Sequence, residues 1–365
     1  MAAALPRAEW WRDKRVLVTG HTGFVGGWLS LWLTRLGAKA YGYSHPPPTK
    51  PSFFEITGLQ QRLQQSTEGD VQDLAALSQC MRHAEPDVVF HLAAQPIVRE
   101  AYRKPQPTFA TNTMGTVNVL EACRKLPALS RLIVFTTDKV YRNDESGRPF
   151  EEGDQLGGDE PYSASKAAAE FAVAAYRERY FRLATSPALA TIRAGNIIGG
   201  GDWGAERLVP DAVRAFSAGQ ALVVRNPQAQ RPWQHVLDAV RGMLVLAERL
   251  PAASAASEQI GWNLGPGAAQ AAPVSKLADH LALCWGEGAS WRHVADGAVP
   301  ESNVLTLSAA KAERLLGWHC AWNLEKSVDR TIRWYRDAID GASALAPSER
   351  QIDEHVADVG AGTVS

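Results

Sequence analysis

The chain has 365 residues, and at roughly 100–200 residues per domain this predicts two domains or one large one. Its 38 lysines and arginines nearly cancel its 39 aspartates and glutamates, for a net charge of −1, which excludes nucleic-acid binding driven by bulk charge. Hydrophobic residues make up 45% of the chain, enough for a sizeable core, which excludes wholesale disorder. Four cysteines, Cys80, Cys123, Cys284 and Cys320, stand too far apart for a CxxC or metal-type pair, so free thiols in a reducing cytoplasm are expected, and no metal site. Pro6 and Arg7 interrupt the short apolar start, and no run of about 18 uncharged apolar residues follows; neither a signal peptide nor a membrane span is expected.

In chain order, residues 15–19 (RVLVT) predict a buried parallel strand, 20–27 (GHTGFVGG) a glycine loop and 28–36 (WLSLWLTRL) a helix. Strands are predicted at 38–43, 87–91, 132–136 and 188–193, and helices at 74–83, 113–125 and 164–180. Strand and helix alternate at βαβ spacing, which predicts an α/β fold with a Rossmann-type doubly wound parallel sheet. After Gly195 the rhythm changes: 197–204 (IIGGGDWG) reads as an irregular loop, and the chain to about residue 335 as a smaller mixed α/β C-terminal lobe. A helix at 239–250 is expected to return to the first domain. The expected division is 1–195 for the first domain, with a returning helix at about 236–262; 196–235 and 263–338 for the second lobe; and 339–365 as a flexible tail.

Gly20, Thr22, Gly23, Phe24, Val25 and Gly26 stand between a strand and a helix, the context in which glycines let a backbone approach a dinucleotide pyrophosphate at a helix N-terminus. The second strand ends on Ser44 with neither an acid nor a base, and the absence of Arg or Lys between Tyr41 and Thr49 points to NAD rather than NADP. Asp70 and Val71 follow a short strand, where the acid can meet an adenine amino group or cap a helix instead. Leu92, Ala93, Ala94 and Gln95 close the next strand, their small residues leaving room for the dinucleotide.

Tyr162 and Lys166 share one helical face. Free tyrosine has a pKa of about 10, and lowering it to about 7 takes roughly 4 kcal/mol of phenolate stabilisation, which an adjacent ammonium in a partly dry site can supply. One βα unit earlier, Thr136, Thr137, Asp138 and Lys139 close a strand. The hydroxyl of Thr137 can share a substrate proton with Tyr162, and the acid and amine that follow suit proton transfer beside a bound ligand. Of the twelve tryptophans, Trp28 and Trp32 read as core, and Trp203 and Trp233 as pocket walls.

These motifs, with AAQPIVR at 93–99, TNTMGT at 111–116, PYSASK at 161–166, RAGNIIGGGDW at 193–203 and RPWQHV at 231–236, resemble the extended short-chain dehydrogenase/reductase family, and within it the CDP-glucose 4,6-dehydratase group. The resemblance spans most of the chain, and its last two motifs are highly specific. It implies NAD as cofactor and a three-step reaction. Carbon 4 of the sugar is oxidised, with Tyr162 and Thr137 taking the proton; water is lost across carbons 5 and 6; hydride returns to carbon 6. Asp138 is then the acid for the departing hydroxyl, and Lys139 either the carbon 5 base or an electrostatic stabiliser. Lys166 and Arg193 join the cofactor contacts, and Gln95, Asn112, Asn196, Arg207, Leu208, Arg231, His235 and Asn303 are expected at the nucleotide sugar, a structural hydrogen bond being the alternative for several of them. Two residues depart from the group: Val25 stands where a lysine is usual, and Val140 where a cysteine is frequent. A homodimer built through a four-helix bundle is implied too. A 4-epimerase or reductase of the same family is the alternative, disfavoured by Asp138 and Lys139; a non-catalytic binding protein is disfavoured by Thr137, Tyr162 and Lys166.

Overall fold

Seven strands form one sheet: β1 Arg15–Thr19, β2 Lys39–Ser44, β3 Gln65–Glu68, β4 Val88–His91, β5 Arg131–Phe135, β6 Ala188–Ala194 and β7 Gly261–Leu264. The order is 3-2-1-4-5-6-7 and every neighbouring pair is parallel, which is the doubly wound arrangement that the βαβ spacing predicts. The computed structural model describes residues 3–183, 185–251, 260–267, 270–286, 288–295, 302–341 and 343–362.

The principal helices are α1 Phe24–Arg35, α2 Leu74–Ala84, α3 Gly115–Cys123, α4 Pro161–Tyr180, α5 Leu208–Ser217, α6 Val236–Arg249, α7 Val274–Trp285, α8 Leu324–Asp340 and α9 Leu345–Gly360. The pleat of β1 shows how they are layered. Val16 and Val18 face a core shared with Trp28 of α1 and Val240 of α6, while Leu17 faces one shared with Leu77 of α2 and Val119 of α3. Both faces are covered, which is why the strands read as unbroken apolar runs. Trp28 and Trp32 are fully buried in the first core. Among the described residues, no helix is long and apolar enough to cross a membrane.

Beyond β6 the chain builds the second lobe and returns. Residues 234–235 pair in parallel with 197–198, and the Gln234 amide donates 2.7 Å to the Leu264 carbonyl of β7. The structure corrects two expectations here. The returning helix ends at Arg249, and residues 261–264 form the seventh strand instead; four residues are too few to carry a period. The expected flexible tail contains α9. Ser348, Gln351, Ile352, His355 and Val359 are buried at helical spacing along it. The Trp334 indole donates to Ser348 at 2.9 Å, the Trp322 indole to Asp358 at 2.8 Å, and the His355 ring stands edge-on to Trp32 and Trp322. Its apolar stripe is thin and mixed with polar residues, so composition alone reads as loop. The last three residues of that segment lie outside the described residues.

Candidate functional site

A cleft of about 1190 Å³ opens at the C-terminal ends of the strands, around the point between β1 and β4 where the sheet order reverses. Its floor begins at the glycine loop. Gly20 has φ +77°, and a Cβ on Gly26 would stand 2.1 Å from the Gly20 carbonyl oxygen, so this tight turn admits no side chain there. Gly23 caps α1 without a side-chain hydrogen bond, which leaves the first-turn N–H groups free to meet an anion. Thr22, Phe24 and Val25 line the same stretch, and the Thr22 hydroxyl lies 2.8 Å from Ser44 at the end of β2. Val71, Leu92, Ala93 and Ala94 complete this half.

The second half is built where β5 meets α4. Glu160 caps α4 by accepting from the Tyr162 and Ser163 N–H groups at 2.7 Å each, with Pro161 in the first turn. This start sets Tyr162 and Lys166 on the cleft side. Burial pushes the Tyr162 phenol up to about 12, the reverse of the lowering expected from an adjacent ammonium, opposed by its hydrogen bond with Thr137 and the nearby charge of Arg207. Burial also brings the Lys166 ammonium down to about 8, opposed by Glu170; its Nζ donates 3.1 Å to the Phe135 carbonyl. Thr136, Thr137, Asp138 and Lys139 close β5 at the cleft wall.

Asp138 is 1% exposed, and burial raises its carboxyl above the usual carboxylate range against the pull of Lys139, Thr137 and Arg231. Its Oδ1 accepts from Thr137 at 3.0 Å, while Oδ2 has no hydrogen-bond partner among the described residues. Burial at this position favours the protonated form of the carboxyl. Asn196, Arg207, Leu208, Arg231, Trp203 and Trp233 line the second lobe's side. Arg207 is held by Asp202 at 3.0 Å, and Arg231 donates to the Gln230 and Ser302 carbonyls at 2.8 and 2.7 Å.

Six expected contacts do not line the cleft. Arg193 instead neutralises a buried carboxylate: it bonds Glu170 at 2.8 Å and the Tyr141 hydroxyl at 3.0 Å. His235 is buried, caps α6 by accepting from the Leu237 N–H at 3.1 Å, and packs on Trp322; burial takes its imidazole down to about 3. Asn303 is exposed and serves through its backbone, bonding Glu145 and Gln230. Asp70 closes a turn by accepting from the Gln72 N–H at 2.8 Å, and the helix cap is Asp73. Gln95 turns back onto Ile97 and Thr108. Asn112, carried on a π-helical turn, bonds the Gln95 backbone at 2.8 and 3.1 Å and the Ser165 hydroxyl at 2.9 Å. It thereby ties the end of β4 to the helix of Tyr162, a positioning role.

Two further residues escape motif reading. Glu170 accepts from Thr136 (2.6 Å), Thr191 (2.9 Å) and Arg193, pinning β5 and β6 to α4. Gly195 provides the space for Asp138, since a Cβ there would fall 2.1 Å from its carboxyl carbon. Glu170 sits in an Ala-rich stretch as an ordinary helix acid, so nothing in sequence marks it; Gly195 lies inside RAGNIIGGGDW and could have been singled out.

The sequence matches the GDP-mannose 4,6-dehydratase family over residues 17–331. It is 41% identical over 352 residues to a CDP-glucose 4,6-dehydratase of Salmonella typhimurium, covering 95% of this chain and 98% of that protein. A dTDP-glucose 4,6-dehydratase from Bacillus anthracis, solved in complex with NAD, superposes with a TM-score of 0.75 at 22% identity, covering 88% of this chain and 96% of that one. An epimerase from Methanothermobacter thermautotrophicus gives 0.79 at 23% identity, covering 91% and 95%. The glycine cradle, the Tyr162–Lys166 pair and the buried acid thus occur in a chain that belongs to the GDP-mannose 4,6-dehydratase family, a group of nucleotide-sugar dehydratases among the extended short-chain dehydrogenases/reductases.

Proposed function

We propose that this protein is a hydro-lyase that converts CDP-glucose to CDP-4-keto-6-deoxyglucose with NAD as resident cofactor. The observation that carries this reading is the buried carboxyl of Asp138, with one unpartnered oxygen, in the same cleft as Tyr162 and Lys166. A 4-epimerase needs no acid at that point. The 41% identity to a CDP-glucose 4,6-dehydratase supports the nucleotide sugar.

The residues fit NAD. The Gly20–Gly26 cradle leaves backbone N–H groups for a pyrophosphate, and Ser44 offers a hydroxyl where NADP would call for a basic side chain. When bound, the dinucleotide would supply a hydride acceptor for carbon 4 and a hydride donor for carbon 6, so net redox would be zero. Tyr162, with Thr137, takes the proton of the carbon 4 hydroxyl, and the Lys166 ammonium stabilises the phenolate. Once carbon 4 is a ketone, the hydrogen on carbon 5 becomes acidic. Asp138 donates its proton to the departing carbon 6 hydroxyl. Lys139 removes the carbon 5 hydrogen or stabilises the enolate. Arg207 and Arg231 supply charge for the diphosphate. In this division the sheet domain, β7 included, holds the dinucleotide, and segments 196–235 and 265–338 hold the nucleotide sugar.

Incubation with CDP-glucose should yield a keto sugar with the near-ultraviolet absorbance of such products in alkali. Asp138→Asn and Lys139→Met should still oxidise carbon 4 but form little 4-keto-6-deoxy product. Product formation by both variants at the wild-type rate would remove Asp138 and Lys139 from the dehydration step.

The same proposal includes a homodimer, and a cytoplasmic setting supported by four free thiols. Phe171 (59% exposed), Met114 (53%) and Tyr180 (43%) lie on α4 and the segment packed beside it, where large apolar side chains call for a cover. Phe171→Asp should give a monomer by light scattering; an unchanged dimer would place the interface elsewhere.

A further inference from the structure

The cleft extends past the reacting residues along α5. Arg207, Asp211 and Ala215 follow at four-residue intervals from the start of that helix, and all three line the cleft. At 1.5 Å per residue, Asp211 lies about 6 Å and Ala215 about 12 Å beyond Arg207. Arg207 is the member near Tyr162, whose phenol feels its charge. Burial raises the Asp211 carboxyl, opposed by Arg214 and by Arg225, the latter in the 220–226 segment that forms the far wall. A sugar at Tyr162 and a diphosphate at Arg207 therefore leave the base beside Asp211. Val223 of that wall is apolar and 44% exposed, and suits the flat face of a ring.

Asp211 is half-buried, with 37% of its side chain exposed. Its Oδ1 accepts from Arg214 at 2.5 Å, and Oδ2 accepts no hydrogen bond among the described residues. A first-turn acid with an i+3 arginine is by itself an ordinary helix feature. What sets this one apart is its place on the cleft stripe and its open oxygen. A carboxylate oxygen accepts but cannot donate. Cytosine presents an exocyclic amino donor at the position where uracil and thymine present a carbonyl acceptor. The first would bond Oδ2; the second would be repelled.

We infer that Asp211 is a specificity-determining residue that selects an amino-bearing pyrimidine over a 4-keto pyrimidine in the nucleotide part of the substrate. This rests on the cytidine nucleotide sugar proposed above and adds which side chain reads the base.

The test is calorimetric titration of CDP and UDP into the NAD-loaded protein. The wild type should bind CDP roughly tenfold or more tightly than UDP. Asp211→Asn, which can donate to a carbonyl, should bring the two affinities together by about that factor through weaker CDP and stronger UDP binding. Asp211→Glu, which keeps the acceptor, should retain a preference for CDP. An Asn variant that folds and keeps the wild-type ratio overturns the inference, as does loss of discrimination in the Glu variant equal to that in the Asn variant. A wild type that binds CDP and UDP equally also overturns it. Failure of the wild type to turn over CDP-glucose at all would instead count against the proposed function.

Discussion

A methyl group at residue 195 would occupy the space of the Asp138 carboxyl, with its Cβ 2.1 Å from both the carboxyl carbon and Oδ2. Gly195→Ala should therefore displace the acid while leaving Tyr162 and Lys166 in place. The expected result is a loss of dehydration by about a hundredfold or more, with carbon 4 oxidation retained; single-turnover assays that follow nicotinamide absorbance and keto-sugar product separate the two. At this scale the sequence was informative where chemistry lies in a contiguous motif. Thr137, Asp138, Lys139, Tyr162 and Lys166 all meet at the cleft, because a strand end and the next helix start carry them there. It was uninformative where the partner is distant. Arg193 belongs to a motif yet spends its charge on Glu170, and His235 spends its ring on capping α6 and packing on Trp322. A motif fixes which residues recur together, while the pleat decides which of them face the ligand and which face the core.

Elements differ in how well their period shows. Strands β1, β2, β4, β5 and β6 and helices α1, α2 and α4 were legible because each is flanked by a turn signal and carries a single-faced or mostly apolar pattern. β7 and α9 were not, the first being short and the second polar outside a narrow stripe. Yet α9 carries His355 into a buried cluster with Asp238 and Arg241. Nε2 of His355 lies 3.0 Å from Asp238, and Arg241 bonds the Ala4 carbonyl at 2.8 Å. Burial opposes the charge of Asp238, but His355, Arg241 and the Ala321 N–H hold its carboxyl well below the usual range. His355→Ala removes a hydrogen bond and an aromatic contact with Trp322 and Trp32, so it should cost about 2–3 kcal/mol of stability. Thermal melting measures the loss; kcat should stay within about twofold, since the cluster lies outside the cleft. A variant as stable as the parent would mean that α9 is held by its apolar stripe alone.

Across the whole molecule, several histidines are buried in the neutral form. Burial takes His21 down to about 4 and His91 and His235 to about 3. In the unfolded chain each would titrate near 6.5. Between these values the unfolded state binds protons that the folded state refuses, so stability falls as pH drops below about 6.5, by up to about 1.4 kcal/mol per pH unit for each histidine. The depressed carboxyl of Asp238 adds a loss only below about 4. Urea midpoints should thus decline steeply from pH 6.5 to pH 4.5, before most carboxylates titrate; a flat profile over that interval would contradict burial in the neutral form. The interleaved chain path has a different consequence. The segment 196–235 leaves the sheet after β6 and is tied back to β7 by the Gln234 amide at 2.7 Å from the Leu264 carbonyl. Its cleft wall and the sheet's last strand are therefore one construction. A block exchanged between relatives at 196–235 therefore has to keep Gln234, the side chain that ties it to the sheet, while its acceptor on β7 is a main-chain carbonyl that any residue at 264 supplies.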